Sequence, residues 1–128
     1  MLREHLSFDS FVSWLQELGD RPCGRYEDPT GNTICQFLRE ATPLRGATLY
    51  PGDAFARSLA STYLVGVYIP DEDRVEVEPV NKLPQWVEVV LQLEEELHDE
   101  AAEVGASQVP ASALLSRLSR VVSRLSQP

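Results

Sequence analysis

The sequence predicts an α+β fold dominated by helix. Four stretches repeat apolar residues at helical spacing, and only one, Tyr63 to Glu78, reads as strand–turn–strand. With 128 residues the chain makes one domain, 1–128, long enough for a real core. The expected arrangement is N-terminal helices, a central β-hairpin or small antiparallel sheet, and a C-terminal antiparallel helix pair.

Ser7 is placed to cap a first helix, and Asp9 suits its positive end. Phe8, Phe11, Val12, Leu15 and Leu18 recur at helical spacing before Gly19 stops the run. Residues 20–31 hold Pro22, Gly24, Pro29 and Gly31 and read as a loop, which makes Cys23 the more exposed of the two cysteines. Asn32 or Thr33 caps a second helix with Ile34, Cys35, Phe37 and Leu38 on its apolar face. Pro43 ends it, having no N–H to continue the ladder.

Ala47 to Tyr50 is a candidate strand. Asp53 caps a short helix through Phe55, Leu59 and Ala60. Tyr63 to Ile69 is rich in β-branched and aromatic residues, Pro70 to Asp73 is turn chemistry, and Val75 to Glu78 alternates with period two. That alternation predicts an edge strand with its valines buried. A hairpin is marginal alone, so a third strand or covering helices must join it.

Leu83 to Val104 reads as one long helix beginning near Pro84, with Trp86, Val90, Leu93, Leu97, Ala101 and Val104 as its apolar stripe. It carries seven acids (Glu88, Glu94, Glu95, Glu96, Asp99, Glu100 and Glu103) and no basic residue. After a connector over Ala106 to Pro110, a final helix shows Leu114, Leu115, Leu118, Val121, Val122 and Leu125. It carries Arg117, Arg120 and Arg124 and no acid. The short connector favours antiparallel packing of the two helices, with Glu–Arg pairs at the seam.

The net charge of −9 is extreme for this length. Such a chain is repelled by nucleic acid and anionic membrane and drawn to basic protein surfaces, nucleic-acid-binding proteins among them. No apolar run approaches the roughly 20 residues of a membrane span, and the first twenty residues are too charged for a signal peptide. Two cysteines make no disulfide framework, so the expected setting is cytoplasmic with reduced thiols.

No catalytic, cofactor or metal signature is present. Glu95 and His98 form a single Glu-x-x-His unit, where di-iron carboxylate proteins use two. Cys23, Cys35 and His5 supply at most three soft ligands, where zinc usually takes four. Phosphate-cradling glycine loops and a nucleophile elbow are absent. Asp71-Glu72-Asp73 lacks the glycine and closing glutamate of a calcium loop.

Phe11-Val12-Ser13-Trp14-Leu15, Tyr26-Glu27-Asp28 and Cys35-Gln36-Phe37-Leu38 resemble the start of small uncharacterised phage and bacterial proteins. The resemblance covers the first third of the chain. It implies mobile-element company, in which small acidic inhibitors such as anti-CRISPR proteins occur.

Three readings follow. The first is a non-catalytic acidic protein that binds another protein stoichiometrically, as an inhibitor or adaptor. In it the outward side of the long helix (Glu88, Glu95, Glu96, Asp99, Glu100 and Glu103) imitates nucleic acid, and Trp14 is a half-exposed contact residue. The second is an assembly module in which the C-terminal helices form a homodimer. The third is an enzyme with a site near Cys23, Tyr26 and Asp28.

Overall fold

The fold is α+β and helix-dominated, as the periodicity requires. The computed structural model describes residues 2–24, 32–51, 63–106 and 108–121. Helix α1 spans Phe8–Leu18, capped by Ser7 Oγ accepting from the Ser10 N–H at 3.3 Å. Helix α2 spans Thr33–Ala41, and Asn32 Oδ1 caps it by accepting from the Cys35 N–H at 3.1 Å. Helix α3 spans Gln85–Glu103 and α4 spans Ala111–Ser119. The expected helix after Asp53 and the last residues of the expected final stripe, Val122 and Leu125, lie outside the described residues.

Two small antiparallel sheets complete the fold. One joins β1 (Pro22–Gly24) to β5 (Val109–Pro110), two segments read from sequence as loop and connector. The contact is tight. A Cβ on Gly24 would lie 2.5 Å from the Thr33 nitrogen and 2.6 Å from Thr33 Oγ1, so only glycine fits. The same junction starts α4, whose Ala111 and Ser112 N–H groups donate to the carbonyls of Arg21 and Gly19, both at 2.8 Å. Two of the donors that every helix start leaves without an intrahelical partner are thereby satisfied.

The other sheet has the order β2 (Arg45–Pro51), β3 (Tyr63–Ile69), β4 (Arg74–Pro79). The hairpin and its third strand are therefore both present. One face of β3 is core, with Val65, Val67 and Ile69 buried. Strand β4, however, is turned the opposite way from expectation. Its register sets Glu78, Glu76 and Arg74 opposite Val65, Val67 and Ile69, so Val77 and Val75 stand on the outer face opposite Gly66 and Tyr68. Val75 is 62% exposed and Val77 41%. The inward polar side is accommodated because Glu76 Oε1 accepts the Leu2 N–H at 2.9 Å. That bond, the foremost cause, holds the Glu76 carboxyl below its ordinary range.

The core is built around rings. Phe11 lies 5.3 Å from Phe37 and 5.0 Å from Trp86, and Trp14 lies 5.7 Å from Phe37, between ring centroids. These contacts join α1, α2 and α3. Trp14 is buried, not half-exposed as its offset from the Phe11–Leu15–Leu18 stripe suggested. α1 packs against α2, α3 and α4 and buries a wider face, so its buried side turns toward Trp14 while Phe8 and Val12 are only partly covered. Val104, expected on the stripe of α3, sits at its C-terminal cap and is 82% exposed.

Phe37→Ala should cost about 3–5 kcal/mol, because it removes the ring that touches both Phe11 and Trp14. A urea titration followed by tryptophan fluorescence measures the loss.

Candidate functional site

Helix α3 has two unlike sides. The buried side holds Trp86, Val87, Val90, Leu93, Leu97 and, among them, Glu94. The outward side holds the acids singled out by sequence. Glu96, Asp99, Glu100 and Glu103 are exposed, and Glu88 and Glu95 half-buried. At about 1.5 Å per residue the carboxylates from Glu88 to Glu103 run along roughly 22 Å of helix. The structure thus places these six residues on one helix, while Trp14 lies in the core and contributes no surface beside them.

Among the described residues, one basic residue answers this array. Arg117 of α4 holds Glu100 through Nη2, at 3.0 Å to Oε1 and 2.8 Å to Oε2, and stands 3.7 Å from Glu96. Such exposed pairs contribute about 0–1 kcal/mol each. Among the described residues, no ion pair reaches Asp99 or Glu103. Arg120 is exposed, and Arg124 lies outside the described residues. Among the described residues, the seam between α3 and α4 therefore uses one arginine, which meets only Glu96 and Glu100.

Glu94 is the acid whose placement sequence reasoning missed. It stands four residues after Val90 and three before Leu97, inside the apolar spacing, and that spacing was the available signal. Its carboxyl is 2% exposed, and Oε2 accepts the Thr33 N–H at 2.9 Å, at the start of α2. Its other oxygen, Oε1, is buried without a hydrogen-bond partner. Burial raises the pKa of Glu94, against hydrogen bonds from Thr33 and the nearby charge of His98, which favour the anion.

Cys23 lies near this carboxyl. Both cysteines are buried and without a disulfide. Cys23 was expected in an open loop. The β1–β5 pairing instead covers it, with Sγ 3.7 Å from the Val109 carbonyl oxygen and 3.6 Å from Thr33 Oγ1. Burial, with a smaller contribution from Glu94, pushes its pKa up to about 11, the opposite of an activated nucleophile. Cys35 receives the Asn32 side-chain amide at 3.3 Å. Among the described residues, no group of three or more His, Cys, Asp or Glu is arranged to hold a metal ion. Tyr26 and Asp28, the other residues of the suspected enzymatic cluster, lie outside the described residues.

A groove of about 540 Å³ runs between α1 and α4. Phe8, Val12, Leu115 and Leu118 form its apolar lining, and Asp9 and Gln16 its polar one. It is open along its length and converges no set of reactive groups.

No known protein family, curated protein or solved structure matches this chain. No described helix is long and apolar enough to cross a membrane.

Two predictions follow from the buried side. Because the folded-state pKa of Glu94 is raised, its contribution to stability is complete below the unfolded carboxyl pKa of about 4.3. It is lost as pH rises toward the folded value. Glu94→Gln, isosteric with the protonated acid, should therefore match the wild type near pH 4 and equal or exceed it at pH 7 in thermal melts. A wild type that gains on the variant as pH rises would show that the carboxylate is favoured in place. Native Cys23 should also resist alkylation at pH 8 and react promptly once the chain is unfolded in urea, as read by mass spectrometry.

Proposed function

We propose that this chain is a small, non-catalytic, acidic protein that binds a basic protein surface stoichiometrically, as an inhibitor or adaptor. The observation that carries the reading is the outward side of α3. Six carboxylates stand on one helix and, among the described residues, a single arginine on the neighbouring helix pairs with them. A partner that itself binds nucleic acid presents the matching charge, so the face acts by imitating a row of phosphates. The resemblance of the N-terminal third to small phage and bacterial proteins agrees with an inhibitor of the anti-CRISPR kind, working in the cytoplasm.

The assembly reading draws less support. Among the described residues, much of the apolar stripes of α3 and α4 is spent within the chain: Val90, Leu93, Leu97, Leu114 and Leu118 are all buried. An enzymatic reading centred on Cys23 has a buried thiol with a raised pKa to contend with.

Changing Glu95, Asp99 and Glu103 together to Gln, Asn and Gln tests the proposal. Partner capture from the native host should fall at least tenfold, and thermal stability should hold or rise because like charges are removed. Added salt should weaken the wild-type complex, since exposed charges are screened beyond about 8 Å at physiological ionic strength. Undiminished capture by the triple variant would reduce the acidic face to a solubilising surface.

A further inference from the structure

We propose that β4 is a pairing edge for a second copy of this chain. The two β4 strands run antiparallel about a two-fold axis at Val75.

The sheet order leaves β4 with one neighbour, β3. Among the described residues, no backbone group outside the sheet bonds to the backbone of Arg74–Pro79. An open edge of this kind is a template for another strand, and soluble proteins usually guard it. Here Arg74, Glu76 and Glu78 set charge along the inward face, and the outer face carries Val75 and Val77. Four large hydrophobic residues are exposed among the described residues: Tyr68, Val75, Val77 and Val104. Three of them share this face, and Val75 stands directly opposite Tyr68. Val75 is the most exposed of the three.

The charges of β4 choose the occupant. Arg74, Glu76 and Glu78 alternate with the valines on the inward face. In an antiparallel pair, residues opposite each other share a face and interact directly. A pair centred on Val75 sets Arg74 of each copy opposite Glu76 of the other and Val75 opposite Val75. A pair centred on Arg74 opposes two arginines. One centred on Glu76 opposes two glutamates, although it sets Arg74 against Glu78 twice, and one centred on Val77 sets Glu76 against Glu78 twice. Within β4, only the Val75 register brings no like charges together; it overlaps Arg74–Glu76 of each copy, with Glu78 facing Glu72 of the other copy beyond the strand. Arg74 and Glu76 already lie 3.7 Å apart within one copy, so the dimer would close a four-membered ring of alternating charge. The strand is thus complementary to itself, and the interface is isologous, as two-fold symmetry requires. The remaining charge of each copy opposes approach at long range, but at physiological ionic strength it is screened beyond about 8 Å.

Sedimentation velocity of the full chain, from micromolar to millimolar concentration, tests this. The wild type should shift from monomer to dimer as concentration rises. Val75→Lys should remain monomeric, because each lysine meets its own copy on the axis. This site is exposed, so the fold should persist, as far-ultraviolet circular dichroism would show. Arg74→Glu and Glu76→Arg should each abolish the dimer, and the double exchange should restore it. A wild type that stays monomeric throughout overturns the proposal. So does a dimer indifferent to Val75→Lys, or a folded double variant that fails to regain the dimer.

Discussion

The contact among Phe11, Trp14, Phe37 and Trp86 is the constraint on which the rest of the molecule depends. Three helices each supply a ring or two, and ring pairs at such separations contribute about 0.5–1.5 kcal/mol beyond the area they bury. Fixing α1 against α2 and α3 brings the residues after α1 back over α2, where Gly24 meets Thr33 with no space to spare. It also sets Glu94 of α3 at the first turn of α2, so one carboxyl oxygen can accept the Thr33 N–H. The β1–β5 pairing then covers Cys23, and α4 starts from the same junction. The aromatic contact comes first in this chain of dependence, because the polar contacts need their helices held at fixed separation.

Legibility in the sequence followed how local each signal was. α1 was readable to the residue, because Ser7, the Phe11–Leu15–Leu18 spacing and Gly19 all lie within one stretch of chain. The third strand, β2, and the start of α3 behind Pro84 were readable for the same reason. The failures involve partners distant in sequence. Trp14 is core because Phe37 is there to meet it, and no pattern within α1 states that. Pro22 to Gly24 becomes strand because Val109 and Pro110 pair with it, although the glycine and prolines read as loop. In β4 the period of two was right and its phase wrong. A strand's alternation does not say which face is buried, and here the register with β3 and the N–H of Leu2 decide it. The outward acids of the candidate site were legible because exposure on a helix follows from its stripe. Glu94 was the exception: an acid inside a stripe reads as an error until the N–H of another helix supplies its reason.

The arrangement of charge along α3 bears on whether its acidic side is more than a solvated surface. A helix end favours charge of the opposite sign, by about 0.3–1 kcal/mol per residue at exposed sites. Acids are cheapest in the first turn, and α3 has one there, Glu88. Its last turn has no basic residue, and Glu100 and Glu103 stand near its negative end, with Asp99 just before them. Like charges three and four residues apart add a few tenths of a kcal/mol of repulsion per pair. Arg117 relieves Glu100 and approaches Glu96, but it does not pair with Asp99 or Glu103. Solubility alone would be met at lower cost by the same acids moved toward the N-terminal end, or interspersed with the lysines this chain almost wholly lacks. A contact surface for a basic partner makes sense of the arrangement, because binding would relieve both the repulsion and the unfavourable end placement. On the proposed reading, Asp99 and Glu103 sit where acids are least favoured in the free chain, and association with a basic partner would release that free energy.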